Sequence, residues 1–391
     1  MKKKIIFVTQ ALWIGGIETA LVNLINHLDS EKYDITCLIT EDYQQMAKDI
    51  TAPCRLLVAD RHRTVSFREA YPFVRLYDLM EKPQTDSKLR LLIWKALCLL
   101  LRSAEMKLYG RYLKKQLAGE QFDTAVIYSD RVAELTVRAV NAGKYQMFYH
   151  NADIGCAYHD VYGYKASQKI IAVSRAQCEK LKKRRPRYAQ KMIAIPNYID
   201  ADAIHAKASY KTDAPVFEED GIHLVSCGRL APQKGFDLAV EACARLIQSG
   251  YSNLHWHILG MGPDKAYLEQ LAEQYGVSEH FHLIGAKANP FPYMQAADLY
   301  VQPSRSEGYS LSILEARVLA CPVVATYAAA EEQLTDGLTG TLCDTTVDAL
   351  VSAILKHLQN PELAMQYQQA LSAYSFDNAN REILDRIEAL L

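Results

Sequence analysis

Short apolar runs alternate with segments of helical periodicity along most of the chain. The first run, Ile5–Val8, is followed by Glu18–Leu28, where apolar residues recur every three or four positions. Parallel strands cannot be joined by a tight turn, so this order is typical of a parallel sheet with helical crossovers. The alternation therefore predicts an α/β fold. The further strands predicted are Asp34–Ile39, Thr124–Tyr128, Gln146–Tyr149, Lys169–Val173, Met192–Ile195, Ile222–Cys227, Leu254–Leu259, Phe281–Ile284, Asp298–Gln302 and Pro322–Thr326.

The length and an interruption of the pattern predict two domains. A chain of 391 residues is long for one hydrophobic core. The alternation stops after Pro196-Asn197 and gives way to a polar stretch over 200–220, which we interpret as an irregular linker. We predict an N-terminal domain over 1–199, a C-terminal domain over 200–375, and a closing helix over 376–391.

The composition excludes several classes of protein. The net charge is −1, so no global field attracts a nucleic acid. The nine cysteines form no C-x-x-C pair, which argues against a disulfide framework or a structural zinc site and indicates a reducing compartment. The apolar run after the first lysines ends at Val8, too early for a signal peptide. No stretch reaches the roughly 20 apolar residues that a spanning helix needs. We therefore expect a cytoplasmic protein.

Gly15 and Gly16 follow the first predicted strand and open a helix. Glycines there let the backbone approach a ligand, and the free N–H groups of a helix start attract an anion. A tight turn between strand and helix also needs glycine, and these residues alone favour neither interpretation.

The loop from Gly228 to Gly235 follows the first strand predicted for the C-terminal domain. Such folds bind ligands at the carboxyl edge of the sheet. Arg229 and Lys234 can clamp a diphosphate there, because arginine offers a planar fork of donors and lysine a point charge. Two solvated loop cations are the alternative interpretation.

Two glutamates frame the start of another predicted helix. Glu307 lies in the preceding loop, and Glu315 is predicted two turns along the helix, at a rise of about 7–8 Å. Carboxylates suit sugar and ribose hydroxyls, since each oxygen accepts hydrogen bonds. The free amides at the helix start form a predicted anion site. Its residues are Tyr309, Ser310, Leu311 and Ser312.

Three motifs follow one another along the chain. They are the loop with Arg229 and Lys234, then Leu259-Gly260-Met261-Gly262-Pro263, then the segment from Glu307 to Glu315. With this order the chain resembles glycosyltransferase family 4, the retaining, group 1 enzymes of GT-B fold. The resemblance is strongest over 222–345. It implies two Rossmann-like domains that face each other across a cleft, with a C-terminal helix that crosses back to the N-terminal domain.

The resemblance also implies roles for single residues. Arg229 and Lys234 would hold the donor diphosphate and stabilise it as it leaves. Glu307 would contact the sugar, and Glu315 the nucleotide ribose. His150 would approach the sugar from the N-terminal domain, with a histidine that caps a strand end as the alternative interpretation. The donor site would further include Gly15, Gly16, Gly260, Tyr309, Ser310, Leu311 and Ser312.

The chemistry of the departing group predicts that no metal is needed. Cleavage of the anomeric C–O bond leaves negative charge on the diphosphate, which some enzymes neutralise with a metal ion. Two cations and a helix start can replace that ion through fixed electrostatics. We expect no cofactor beyond the nucleotide-sugar co-substrate, with a UDP-sugar favoured and a GDP-sugar second.

Two segments depart from the family pattern. Leu319-Ala320-Cys321-Pro322 lacks a glycine that often precedes this proline, and Ala328–Glu332 stands where a glycine-containing turn is expected. The second change lies near the edge of the donor site and leaves the sugar preference open. It also leaves open a degenerate, inactive relative, although the charged residues of the clamp are all present.

Residues 61–118 break the alternation and read as a basic, amphipathic helical insertion. Its part 88–115 carries eight basic residues and one acidic residue, and 180–191 holds a second basic cluster. Three interpretations stay open: an anchor at an anionic membrane surface, a packed helix with a solvated basic face, or a recognition surface for a phosphate-rich acceptor.

We therefore predict a metal-independent glycosyltransferase of the hexosyltransferase type, cytoplasmic or peripheral at the inner face of the cell membrane. Its acceptor would be a cell-surface polysaccharide, a teichoic-acid-type polymer or a lipid-linked glycan. Two other functions remain open. A nucleotide-sugar epimerase or hydrolase would consume the donor without an acceptor, and a catalytically silent sugar-binding partner of another transferase would ignore nucleotides.

Overall fold

Two parallel β-sheets lie at the centres of two domains. The computed structural model describes residues 1–59, 87–150, 160–209, 217 and 221–391. Within these residues, the strands of the first sheet are β1 Lys3–Thr9, β2 Tyr33–Ile39, β3 Cys54–Val58, β4 Gln121–Ile127, β5 Asn141–Tyr149, β6 Lys169–Ala172 and β7 Met192–Ala194. Those of the second are β8 Ile222–Cys227, β9 Leu254–Leu259, β10 Phe281–Gly285, β11 Leu299–Gln302, β12 Val323–Thr326 and β13 Thr341–Cys343.

Both sheets have the doubly wound strand order, which confirms the predicted α/β fold. The orders are β3-β2-β1-β4-β5-β6-β7 and β10-β9-β8-β11-β12-β13, with every pair parallel. The direction of winding reverses beside β1 in the first sheet and beside β8 in the second. Ligands bind in the crevice at such switch points, and the two glycine-rich loops of the sequence follow these two strands.

Helices cover both faces of the sheets. They are α1 Gly16–His27, α2 Lys88–Gln116, α3 Ala133–Ala139, α4 Asp160–Ala166, α5 Arg175–Arg184, α6 Ala201–Ala208, α7 Phe236–Gln248, α8 Lys265–Gln274, α9 Phe291–Ala296, α10 Leu311–Val318, α11 Tyr327–Ala330, α12 Val347–Gln359, α13 Pro361–Ser372 and α14 Phe376–Glu388.

The central strands are buried on both faces, which explains their continuous apolar runs. In β1, Ile5 and Phe7 pack on one side of the sheet and Ile6 and Val8 on the other, and all four are inaccessible to solvent. Full burial of such side chains stabilises the fold by roughly 1.5–3 kcal/mol each. The sequence does not reveal β3 and β13, because β3 contains Arg55 and has no fully buried residue, and β13 is a three-residue segment that begins with Thr341.

The predicted linker is partly wrong. The segment over 200–220 was expected to be irregular, but α6 occupies its first part, begins after the cap residue Asp200, and buries Ile204 and Ala208 against the C-terminal domain. An eight-residue helix with two apolar contacts is too short to stand out from a polar stretch. Most of 210–220 lies outside the described residues.

The closing helix α14 packs on the N-terminal domain. Ile387 and Leu391 join the core around β1 and β2. The backbone oxygen of Leu391 accepts a hydrogen bond of 2.8 Å from the Thr124 hydroxyl. Asn380 holds the backbone of Ile199 from both sides, donating to its carbonyl oxygen at 2.7 Å and accepting from its N–H at 3.3 Å.

The predicted insertion is described from residue 87 onward, and its part over 61–86 lies outside the described residues. Helix α2 packs its C-terminal half on the N-terminal core through Tyr109 and Leu113. Near its other end, Ile93 and Leu97 are 59% and 46% exposed. Over the described ranges, no helix combines the length and apolar character needed to cross a membrane.

Candidate functional site

Two helix starts face each other across the cleft between the domains. Helix α1 begins directly after the loop that follows β1, and α10 begins after the loop that follows β11. A Cβ atom on Gly16 would lie 3.7 Å from Cδ1 of Leu311, so the two starts are in van der Waals reach. The positive ends of both helix dipoles therefore point at one region.

The loop after β8 carries the two predicted cations, and its lysine reaches the loop that leads into α10. Lys234 ends a short 3₁₀ turn, and its aliphatic stem covers Gly228, where an added Cβ would meet Cε at 3.1 Å. Gly235 has φ of +68°, and a Cβ there would lie 2.1 Å from the carbonyl oxygen of Pro303. Arg229 is exposed and makes no hydrogen bond or ion pair with another described residue, so its guanidinium is available to a ligand.

Lys234 and Glu307 form a largely buried ion pair. The Lys234 ammonium lies 2.6 Å from Oε1 of Glu307, and the two side chains are 19% and 10% exposed. The Ser304 hydroxyl donates to the same Oε1 at 2.7 Å. No described residue donates to the other oxygen, Oε2, so the carboxylate keeps one acceptor oxygen for a ligand.

The start of α10 differs from the prediction in two ways. The helix begins at Leu311, so Glu315 lies about 6 Å along it, just past the first turn rather than two turns in. The Ser310 amide is not free, because it donates to Oε1 of Gln333 at 2.9 Å, and the Gln333 amide group donates back to the Ser310 carbonyl at 2.7 Å. The amides of Leu311 and Ser312 find no acceptor among the described residues.

Two carboxyl groups near the cleft hold protons more tightly than usual. Burial raises the pKa of Glu315 to about 8, with a smaller opposing effect from Lys207. A carboxyl group that is protonated near neutral pH can both donate to and accept from a ribose hydroxyl. Burial likewise raises the pKa of Glu18 to about 7. The Glu18 carboxylate bonds its own backbone N–H and lies beside Gly15, so it occupies part of the start of α1.

His150 lies directly after β5, where the N-terminal domain meets the loop of Glu307. Its ring packs against Tyr128 and Phe148 at centroid distances of 4.7 and 5.9 Å. Burial lowers the pKa of His150 to about 3, so the ring is neutral. Its Nε2 atom is buried without a hydrogen-bond partner among the described residues. Such an atom is costly unless a ligand or water satisfies it.

Gly260 supports the site through its backbone. A Cβ atom there would lie 1.8 Å from the carbonyl oxygen of Gly228, so a side chain at 260 would displace the loop that carries Arg229. The close approach explains the glycine without a direct contact to a ligand. Tyr309, the remaining predicted donor-site residue, lies at the same loop as Glu307, half-buried.

The segment Ala328–Glu332, which departs from the family pattern, forms the short helix α11 and the residues after it. The Glu332 carboxylate accepts hydrogen bonds from the backbone N–H groups of Arg175, at 2.7 Å, and Ala176. These groups begin α5 of the N-terminal domain. Glu332 therefore caps a helix across the domain interface, a contact that no pattern in the sequence predicts.

The chain contains one Asp-x-Asp triplet, Asp200-Ala201-Asp202, a pattern that holds a metal in some transferases. The structure gives it another role, because the Asp200 carboxylate caps α6 by accepting from the Ala203 amide at 2.9 Å. Within the described residues, no group of three or more histidine, cysteine, aspartate or glutamate side chains has an arrangement that could hold a metal ion.

Part of the chain is similar in sequence to known proteins. Residues 211–372 match the family model described as Glycosyl transferases group 1. The chain is 28% identical over 137 residues to the O-antigen biosynthesis glycosyltransferase WclY of Escherichia coli, covering 35% of this chain and 37% of that protein. It is 33% identical over 166 residues to a GDP-mannose-dependent alpha-(1-6)-phosphatidylinositol monomannoside mannosyltransferase of Mycolicibacterium smegmatis, covering 40% and 43%. The chain thus spans less than half the length of these relatives.

The whole fold is similar to that of solved glycosyltransferases. A mutant of S. aureus TarM, crystallised with fondaparinux, alpha-GlcNAc-glycerol and UDP, aligns with a TM-score of 0.72 over 99% of both chains at 14% identity. The fold is therefore GT-B. Together with the match over the C-terminal domain, it supports a group 1 glycosyltransferase.

Proposed function

We propose that this chain is a retaining glycosyltransferase of family 4, with a UDP-sugar as the favoured donor and a GDP-sugar second. The observation that carries the proposal is the Lys234–Glu307 ion pair in the loop that leads into α10, whose start lies within van der Waals reach of the start of α1. Arg229 is exposed on the loop that also carries Lys234. Cations and free amides bind a diphosphate, and a carboxylate with one unoccupied oxygen binds a hydroxyl. The match of the C-terminal domain to group 1 transferases and the UDP bound to TarM support the same donor class.

In the proposed reaction, the bond between the anomeric carbon and the diphosphate oxygen breaks, and its electron pair stays on the phosphate. The acceptor hydroxyl attacks the anomeric carbon from the same face, and its proton passes to the departing phosphate. Arg229, Lys234 and the amides at the start of α10 stabilise the charge that develops there. Glu307 holds the sugar, Glu315 the ribose, and the neutral ring of His150 offers Nε2 to a sugar hydroxyl.

The proposal includes independence from metal ions, because fixed cations supply the charge that a metal would bring. We expect full activity after treatment with EDTA. Strict dependence on a divalent metal would contradict the mechanism.

For the acceptor, we propose a cell-envelope polysaccharide or a lipid-linked glycan, in line with the O-antigen role named for the relative WclY. The enzyme would act at the cytoplasmic face of the membrane. In α2, Arg90, Ile93, Leu97, Lys107 and Arg111 are exposed and recur at helical spacing, so they form one stripe. Apolar and basic side chains on one stripe suit an anionic membrane surface.

Vesicle binding tests the membrane part of the proposal. We expect co-sedimentation with phosphatidylglycerol vesicles and loss of it when the lysines and arginines of 88–115 are replaced by glutamine. The same replacements in 180–191 show whether the second basic cluster contributes. Equal binding to phosphatidylcholine vesicles would contradict an electrostatic anchor.

The function itself is tested by thermal stability in the presence of UDP, GDP or ADP. A ligand at one hundred times its dissociation constant stabilises the state that binds it by about 2.7 kcal/mol, so an occupied site is visible. We expect a shift with UDP that Arg229→Ala abolishes. If no nucleotide shifts the melting temperature, the silent sugar-binding partner is favoured. If the protein consumes the donor without transferring the sugar to any acceptor, an epimerase or hydrolase is favoured.

A further inference from the structure

A chain of buried hydrogen bonds runs beneath the donor site and ends on Glu307. The Tyr300 hydroxyl donates to Oε1 of Gln302 at 2.6 Å, and the Gln302 amide nitrogen donates to the Ser304 hydroxyl at 2.8 Å. That hydroxyl donates to Oε1 of Glu307 at 2.7 Å. Tyr300, Gln302 and Ser304 are completely inaccessible to solvent. Each side-chain donor in this series of hydrogen bonds therefore points toward the carboxylate of Glu307.

The same glutamine also contacts the start of α10. The Ser312 hydroxyl donates to Oε1 of Gln302 at 3.3 Å, so one buried amide group touches both the helix start and, through Ser304, the Glu307 carboxylate. Close-packed interiors leave such an amide little freedom to move. The Gln302 side chain thus links the start of α10 to the carboxylate of Glu307 from the buried side of the site.

We propose that Gln302 and Ser304 are positioning residues, which hold Glu307 in register with the start of α10 so that sugar and diphosphate of one donor are bound together. This inference rests on the proposed function and deepens it. Rigid placement of a group that binds the reacting sugar matters because a displacement of about 1 Å can cost roughly a hundredfold in rate.

A matched pair of variants separates positioning from general loss of packing. Ser304→Ala removes the donor to Glu307. Ser226→Ala is the control, because Ser226 is equally inaccessible, lies in the neighbouring strand β8, and also makes two hydrogen bonds, to Trp256 at 2.9 Å and Val301 at 2.5 Å. Tyr300→Phe covers the case in which Ser304→Ala fails to fold; it removes the donor to Gln302 and the acceptor of the Cys227 N–H at 3.2 Å but leaves Ser304 in place.

Dissociation constants are measured by calorimetry for UDP-glucose, UDP-N-acetylglucosamine and GDP-mannose, and for the nucleotides UDP and GDP. The readout is the dissociation constant of each nucleotide sugar divided by that of its own nucleotide. Turnover is measured on the same variants. For the donor that the wild type uses, Ser304→Ala should raise this ratio about tenfold and lower turnover about ten- to a hundredfold. Ser226→Ala should change neither by more than about twofold, and Ser304→Thr, which keeps the hydroxyl, should restore both.

Two results overturn the positioning role while the proposed function stands. One is an unchanged ratio in Ser304→Ala or, if that variant does not fold, in Tyr300→Phe. The other is an equal change in Ser226→Ala. A wild-type chain that binds none of the three nucleotide sugars and neither UDP nor GDP overturns the proposed function, and the positioning role with it.

Discussion

A methyl group placed on Gly308 would lie 2.3 Å from the carbonyl oxygen of His150. The two residues belong to different domains, and their backbones come together beside the carboxylate of Glu307. A backbone carbonyl at the end of a strand cannot retreat as a flexible side chain can, so this contact needs glycine. The glycine after Glu307 therefore allows the two halves of the site to meet.

Gly308→Ala should keep both domains folded and separate them at the site. Gly308 does not have positive φ, so alanine fits its own loop. We expect a melting temperature within a few degrees of the wild type and a loss of turnover of at least tenfold. Gly143→Ala is a control, because its added Cβ would meet only the Asp123 carbonyl at 3.2 Å, within the N-terminal domain. Equal activity of the two variants would contradict the interpretation.

Arg229→Ala and Lys234→Ala should both reduce turnover by roughly two to three orders of magnitude, the scale for the loss of one aimed charge stabiliser. Their effects on unfolding should differ. Arg229 is exposed and unpaired among the described residues, so its loss should change the free energy of unfolding by less than about 0.5 kcal/mol. Loss of Lys234 leaves Glu307 without its counterion and should cost about 1–3 kcal/mol.

The double variant Lys234→Ala/Glu307→Ala tests that explanation through urea unfolding. Removal of both charges should be less destabilising than the sum of the two single changes, because no unpaired carboxylate remains. Strict additivity of the free energies would show that the ion pair does not couple the two side chains.

Glu315 should make the stability of the ligand-free protein fall as the pH rises. Its folded pKa is about 8 against an ordinary value of 4.5. Between these values the folded protein holds a proton that the unfolded chain has released, so rising pH favours unfolding over this window. Glu315→Gln removes the effect. The variant should gain stability relative to the wild type at pH 8.5, compared with pH 5, in paired urea titrations.

Glu332→Gln should loosen the contact between the domains. A carboxylate charge at an exposed helix start stabilises the helix by about 0.3–1 kcal/mol. Loss of the Glu332 charge should therefore shift the equilibrium between domains in contact and domains apart by roughly two- to fivefold. We expect a larger radius of gyration in small-angle scattering of the ligand-free variant. Glu331→Gln removes the adjacent carboxylate and should leave the radius unchanged. If the radius of gyration of Glu332→Gln equals that of the wild type, the contact of Glu332 with α5 does not hold the domains together.

The secondary structure of the molecule could be predicted from the sequence better than the side-chain hydrogen bonds of the site. Alternation of buried strands with amphipathic helices is a local signal, so most strands and the positions of Arg229, Lys234 and Glu307 followed from it. The hydrogen bonds of Ser304, Gln302 and Gln333 near Glu307 and Ser310 did not follow from it, because the periodicity of a sequence does not record contacts between side chains. Likewise, Asp200-Ala201-Asp202 is a helix cap, which a motif alone cannot distinguish from a metal ligand.

The hydrogen bonds between Asn380 and Ile199 join the two segments by which the chain passes from one domain to the other. One segment leads from β7 into α6, and the other leads from α13 into α14. Two adjacent interdomain segments that are hydrogen-bonded to each other should allow the domains to rotate about the axis through both segments and should resist a twist of one domain against the other. We expect rotation about these two segments to move Glu307 of one domain away from His150 of the other, so that the nucleotide product leaves through the opening that admits the next donor.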